Sequence, residues 1–166
     1  MKIIRLEDNN NDVFKKICEW NYDWWNDSSF EEVECYFKHS LCKNNRLPQT
    51  FIALIKDEPV GMYQICMSDD LYSRPDIYPW LANVYVNEKY RGNGIWKQLM
   101  NTVKENAKNI GLNELYLYTK HVGLYEKFGW KFIEEVNTFK DDSSIERLYK
   151  LDIEWLMFLC DIPTMW

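Results

Sequence analysis

The chain has 166 residues, 46% of them apolar and 16% aromatic, which is too much core material for a disordered, collagen-like or linker sequence. Its length suits one domain over residues 1–166, and its net charge of −6 argues against nucleic acid as a partner. The longest stretch without Asp, Glu, Lys or Arg is eleven residues, 77–87, short of the ~18 that a membrane helix needs. Residues 1–8 contain no apolar h-region, so the expectation is a cytoplasmic protein with no membrane partner.

Five cysteines, Cys18, Cys35, Cys42, Cys66 and Cys160, form an odd set with no CxxC pair and no metal-like spacing to His39 or His121. Reduced, mostly buried thiols and no metal site are expected. Charge is segregated along the chain. Residues 89–131 carry eight basic and three acidic side chains, whereas residues 7–34 hold nine acids against Lys15 and Lys16. The first segment suits an anion, and the second suits a cation or a solvated acidic helix face.

In chain order, residues 2–6 read as a strand, and the polar run 8–12 opens a helix with Val13, Phe14, Ile17 and Cys18 on one face. After Asp27-Ser28-Ser29 a second amphipathic helix carries Phe30, Val33, Tyr36 or Phe37, and Leu41. Residues 50–55 and 60–67 read as an antiparallel pair about the turn 56–59. The segment 68–76 is a loop, and residues 80–86 are the best candidate for a central strand. A glycine-bearing turn, Arg91-Gly92-Asn93-Gly94, then leads into a helix marked by Ile95, Leu99, Val103, Ala107 and Ile110, which Gly111 stops. Residues 115–119 form a strand, 122–128 a short helix ended by Gly129, 130–136 a strand and 145–153 the last strand. The apolar tail 154–166 is expected to dock on its own core or on a second subunit, which would make a homodimer.

The turn at residues 91–95 suits an anion, because helix-terminal amides point outward and glycine lets an oxygen approach the backbone. It is neither a dinucleotide GxGxxG, which would need glycine at Lys97, nor a Walker A loop. The combination of Leu81-Ala82-Asn83-Val84-Tyr85-Val86, Tyr90-Arg91-Gly92-Asn93-Gly94-Ile95 and Leu124-Tyr125-Glu126-Lys127-Phe128-Gly129-Trp130 resembles the GNAT acyl-CoA N-acetyltransferases. The resemblance is strong over residues 79–136.

It implies an α+β, three-layer fold: a mixed, mostly antiparallel sheet of six to seven strands flanked by about four helices. It also implies acetyl-CoA as co-substrate. Pantetheine would pair with the splayed strand at Val84, Tyr85 and Val86, and pyrophosphate would lie on Arg91, Gly92, Asn93, Gly94, Ile95, Trp96 and Lys97. Tyr125 matches the tyrosine that protonates the departing thiolate. Trp96 departs from the family pattern Gln/Arg-x-x-Gly-x-Gly/Ala, and sharing a helix face with Met100 and Val103, it is expected to turn off the phosphate loop onto the sheet or the adenine. The Asn that many members place before the tyrosine is also missing, with Thr119 and His121 nearby.

For this family the acceptor is an amine, whose ammonium form must lose a proton at a cost of about 4–5 kcal/mol at pH 7. Asp69, Asp70, Asp76, Glu19, Asp23 and Asp27 are the candidate carboxylates, and Trp20, Tyr22, Trp24 and Trp25 are candidate walls for a cationic acceptor. The leading expectation is acetyl transfer from acetyl-CoA to a small-molecule amine. Protein N-terminal or lysine acetylation and a non-catalytic acyl-CoA-binding module are the alternatives.

Overall fold

The computed structural model describes residues 1–7, 11–26, 28–41, 45–69, 71, 73–138 and 144–154. Seven strands form one sheet: β1 (Lys2–Arg5), β2 (Gln49–Ile55), β3 (Glu58–Cys66), β4 (Trp80–Val86), β5 (Glu114–Thr119), β6 (Lys131–Asn137) and β7 (Ile145–Asp152). Their order is β1-β2-β3-β4-β5-β7-β6, antiparallel throughout except for the β4/β5 pair. The helices are α1 (Asn11–Trp25), α2 (Phe30–Lys38) and α3 (Ile95–Ile110). The expected mixed, mostly antiparallel α+β sheet is present.

Local chemistry sets these boundaries. Lys56 and Asp57 both adopt positive φ, 49° and 65°, the geometry of a tight hairpin turn whose twist matches β2 and β3. Ser29 and Glu32 form a reciprocal capping box at the start of α2. Gly111, at φ 97°, ends α3, with its own N–H and that of Leu112 closing on Lys108 and Ala107.

Alternation along β2 sends Phe51 and Ala53 to the core beneath α3, and Ile52 and Leu54 to the core beneath α1 and α2. The α3 core also gathers Tyr63, Ile65, Leu81, Leu99, Leu115, Leu117 and Tyr149. On the opposite face a third cluster, Cys66, Leu71, Ile77, Trp80, Ala82, Val136 and Leu148, is separate from the α1/α2 cluster. Gln64 lies between them, two residues from Met62 on one side and from Cys66 on the other.

Two expectations change. The helix expected at 122–128 is only the 3₁₀ turn Tyr125–Phe128, because Gly123 at φ 72° and Gly129 at φ 87° confine it to a single turn. There are therefore three α-helices among the described residues, one fewer than expected. Leu41 falls in a 3₁₀ turn (His39–Leu41) after α2 rather than within the helix. Of the tail, Glu154 is described and pairs with Lys104 at 3.6 Å; the docking expected for the remainder lies outside the described residues.

Candidate active site

The site begins with a break in the sheet. The parallel strands β4 and β5 pair only at Trp80 and Tyr116, where the Tyr116 N–H reaches Pro79 O at 2.9 Å. Beyond that point they diverge, and Asn83 to Val86 become half-exposed. The Asn87 N–H donates to Val60 O on β3 at 2.9 Å. Alternation therefore turns the Val84 and Val86 N–H groups away from β3, into the gap on the β5 side. This is a row of backbone donors set for an extended ligand.

A bulge starts this open stretch. The β3/β4 register shifts between Met62 and Gln64, and Asn83 adopts φ 52°, a left-handed conformation that Asn tolerates better than most residues. Its side chain is fixed from two directions. Asn83 Nδ2 donates to Gln64 Oε1 at 3.1 Å, and Asn21 Nδ2 donates to Asn83 Oδ1 at 3.3 Å. Gln64 Oε1 also accepts from the Tyr36 hydroxyl at 2.6 Å, and Gln64 Nε2 donates to Thr50 Oγ1 at 3.1 Å. Five polar side chains from α1, α2, β2, β3 and β4 thus form one network under the gap. The sequence reading missed it, although an Asn within the apolar run of β4 was a visible anomaly.

At the far end of β4, Gly94 caps α3 with φ 74° and no side-chain cap. The first-turn amides, Ile95 to Lys97, have no acceptor further back in the helix. A Cβ at Gly92 or Gly94 would meet nothing within 4 Å, so the turn is open to solvent. Asn93 Nδ2 donates to the carbonyls of Tyr90 and Arg91, which tightens the turn from inside. Arg91 Nε donates to Val86 O at 3.0 Å, and its guanidinium pairs with Glu88. Lys97 is exposed beside them. Bare amides, a helix dipole and two cations fit the anionic diphosphate of CoA.

Val84, Val86, Tyr90 and Trp96 pack against the same core cluster that contains Tyr125, so the open strand edge, the turn and this phenol share one side of the sheet. Tyr125 is 7% exposed. Burial pushes its hydroxyl up to about 12, and the neighbouring Trp96 side chain opposes that rise. The Trp96 ring meets Tyr125 edge-on at 5.3 Å and Phe128 at 5.3 Å. The Trp96 ring is turned off the glycine-bearing turn, as expected, and packs on the 3₁₀ turn.

The remaining candidates separate. Glu19 is paired with Lys16 at 2.9 Å, and Asp76 with Arg74 at 2.9 Å. Asp69 accepts from the Tyr118 hydroxyl at 3.5 Å, and its charge helps push the Tyr36 hydroxyl up behind the dominant effect of burial. Asp69 therefore lies on the Gln64 side of the gap. Asp27 and Asp70 lie outside the described residues. Trp20 is buried against Tyr85 at 5.1 Å, whereas Trp24 stays half-exposed on Tyr85 at 5.6 Å. Tyr22 packs on Phe30. Thr119 Oγ1 accepts from the His121 N–H, and the His121 side chain is exposed. Cys18 is buried and its thiol pushed up to about 12 by burial, which removes it as a nucleophile. Among the described residues no cluster of His, Cys, Asp or Glu is placed to hold a metal ion, and no helix is long and apolar enough to cross a membrane.

The architecture is found in solved structures. An aminoglycoside 6'-acetyltransferase type Ii superposes with a TM-score of 0.71 at 20% identity, covering 93% of this chain and 99% of that one. An aminoglycoside 6'-N-acetyltransferase from Enterococcus faecium gives 0.70 at 18%, covering 93% and 98%. A further aminoglycoside 6'-N-acetyltransferase, complexed with coenzyme A, gives 0.70 at 18% over the same shares. At these identities the likeness concerns the fold. No curated protein matches the sequence. The family model for the acetyltransferase (GNAT) family matches residues 11–130, taking in the splayed strand, the open turn and Tyr125, and the chain belongs to that family.

Proposed function

We propose that this protein is an acetyl-CoA-dependent N-acetyltransferase acting on a primary amine of a small cationic acceptor. The observation that carries the reading is the diverging β4/β5 pair, which turns the Val84 and Val86 amides into a gap that leads to the open turn of α3. Acetyl-CoA, when bound, supplies a thioester whose acyl carbon accepts the amine nitrogen as the C–S bond breaks. Val84 and Val86 hold the pantetheine arm as a strand would, and Arg91, Lys97 and the amides of residues 92–97 hold the diphosphate.

Tyr125 is the general acid, passing its hydroxyl proton to the departing thiolate and recovering one from solvent. A phenol near 12 stays protonated at neutral pH, and it is the titratable hydroxyl on the α3 side of the gap that the family motif marks. Asp69 is the carboxylate proposed to draw the proton from the acceptor ammonium, through water. Trp24, half-exposed beside Tyr85 and carrying the Arg91 guanidinium over its ring, stands at the acceptor rim. The aminoglycoside enzymes among the structural neighbours suit a polycationic small acceptor, as do the acidic residues of α1 and α2, Asp12, Asp23, Glu31, Glu32 and Glu34.

Calorimetric titration with acetyl-CoA, followed by thiol release with aminoglycosides, polyamines and lysine-bearing peptides, tests this. Micromolar binding with turnover on the small polyamines supports it. Turnover on peptides alone would replace the acceptor class, and binding without turnover on any amine would leave an acyl-CoA-binding module. In Tyr125→Phe, kcat should fall roughly 10²-fold or more while acetyl-CoA still binds.

A further inference from the structure

Tyr125 sits on a segment with little regular backbone support. Between the end of β5 at Thr119 and the start of β6 at Lys131 the chain makes one 3₁₀ turn, Tyr125–Phe128, which the Gly129 N–H closes on Glu126 O at 3.1 Å and which Gly123 and Gly129 flank at positive φ. A single such turn is a weak mount for a side chain that must meet a reacting atom. The strand beneath it adds a second hold. Tyr149 of β7, fully buried, donates its hydroxyl hydrogen to Glu126 Oε1 at 2.8 Å and accepts from Arg147 Nε at 3.1 Å. Glu126 Oε2 is buried with no hydrogen-bond partner among the described residues, so the Tyr149 hydroxyl is the side-chain donor this carboxylate has. Arg147 is itself steadied, its guanidinium carbon 3.9 Å from the Phe132 ring centroid and its Nη1 3.8 Å from Glu135 Oε1.

We propose that Tyr149 is a positioning residue for Tyr125, acting through Glu126: its hydroxyl ties the 3₁₀ turn to β7 and so fixes where the Tyr125 phenol stands relative to the gap. This rests on the reading of Tyr125 as general acid. Glu126 follows Tyr125 directly, so holding its carboxylate holds the backbone that carries the phenol. The anchor is firm because β7 is paired along both edges, with β5 and with β6. The bond runs from a neutral hydroxyl to an ionised carboxylate, the charge-assisted kind that is short and keeps its geometry. A displacement of about 1 Å at a reacting group can cost ~10²-fold in rate, so this contact governs kcat without touching the thioester.

Tyr149→Phe keeps the ring and removes the hydroxyl. Its kcat should fall roughly tenfold while acetyl-CoA affinity stays within about twofold of the parent. In a Tyr125→Phe background the same change should cost nothing further. Glu126→Ala breaks the bond from its half-buried end and should match Tyr149→Phe, and the double variant should lose no more than either alone. Glu126→Gln keeps an acceptor oxygen and should retain more of the rate than Glu126→Ala. Independently of turnover, the Gly129 amide of the ligand-free protein should exchange roughly tenfold faster in Tyr149→Phe, with the Val103 amide of α3 unchanged. Should Tyr149→Phe fail to fold, Glu126→Ala carries the same comparisons.

Equal kcat losses in both Tyr125 backgrounds, additive losses from Tyr149→Phe and Glu126→Ala, or a Gly129 amide that quickens no more than Val103 would overturn the positioning role and leave the general acid standing. Full kcat in Tyr125→Phe alone would overturn the general-acid reading and this proposal with it.

Discussion

The guanidinium carbon of Arg91 lies 4.8 Å from the ring centroid of Trp24, joining the last turn of α1 to the entrance of the α3 turn. Arg91 also lies 5.8 Å from the Tyr85 ring and donates to Val86 O, so one side chain links helix, strand and turn. An exposed cation–π contact contributes about 0.5–1 kcal/mol. Trp24→Ala should therefore weaken acetyl-CoA binding by roughly two- to fivefold in calorimetry, at the 1.4 kcal/mol per tenfold of binding equilibria. Unchanged affinity would show that Arg91 holds its place through Val86 and Glu88 alone.

Gly61 is required by a close approach. A Cβ there would meet Tyr85 O at 2.9 Å and Leu99 Cδ1 at 3.2 Å. The first is backbone in the open strand and has little room to move. Gly61→Ala should cost about 1–3 kcal/mol as overpacking, read as a lower Tm at roughly 2–4 °C per kcal/mol for this size.

Asn83 combines a left-handed backbone with two side-chain hydrogen bonds, and two substitutions separate these roles. Asn83→Gly keeps the conformation and removes the bonds, whereas Asn83→Ala loses both. Leaving Gln64 and Asn21 short of a partner should cost about 1–3 kcal/mol, and Ala should add a further ~1 kcal/mol for the strained φ. Urea unfolding of the pair measures the difference; equal midpoints would mean that the bulge relaxes freely.

The buried thiol and phenols set an alkaline limit. Burial pushes Cys18 from 9.0 to about 12, and Tyr63 and Tyr125 from 10.0 to about 12. Because the folded values are raised, the unfolded chain gives up these protons first. The stabilisation is complete below pH 9 and is lost progressively between pH 9 and about 12. The urea midpoint should fall from pH 8.5 to 11, and Cys18→Ala should flatten the early part of that fall.

Much of this was legible in the chain, for identifiable reasons. The α3 stripe of Ile95, Leu99, Val103 and Ala107 and its Gly111 stop are local signals, and the structure places all four side chains in the core. The open turn at Gly92 and Gly94 was readable because positive φ selects glycine. The helix expected at 122–128 failed because Gly123 and Gly129 both take positive φ, and one was weighed only as a terminator. The Asn21–Asn83–Gln64–Tyr36 network was hidden because its members are separated by up to 62 positions. Only the folded sheet brings them together.

The single register point between β4 and β5 also divides the sheet mechanically. Strands β1 to β4 and strands β5 to β7 form two ladders that share one point of backbone contact, so their mutual alignment is carried by side chains on both faces: Leu81 and Tyr63 with Leu115, Leu117 and Tyr149 in the α3 core, and Trp80 and Ala82 with Val136 and Leu148 on the opposite face. Amide exchange should report this division. The N–H groups of Val84 and Val86 should exchange rapidly although β4 pairs with β3 on its other side, and a ligand that bridges the gap should slow them as an eighth strand would.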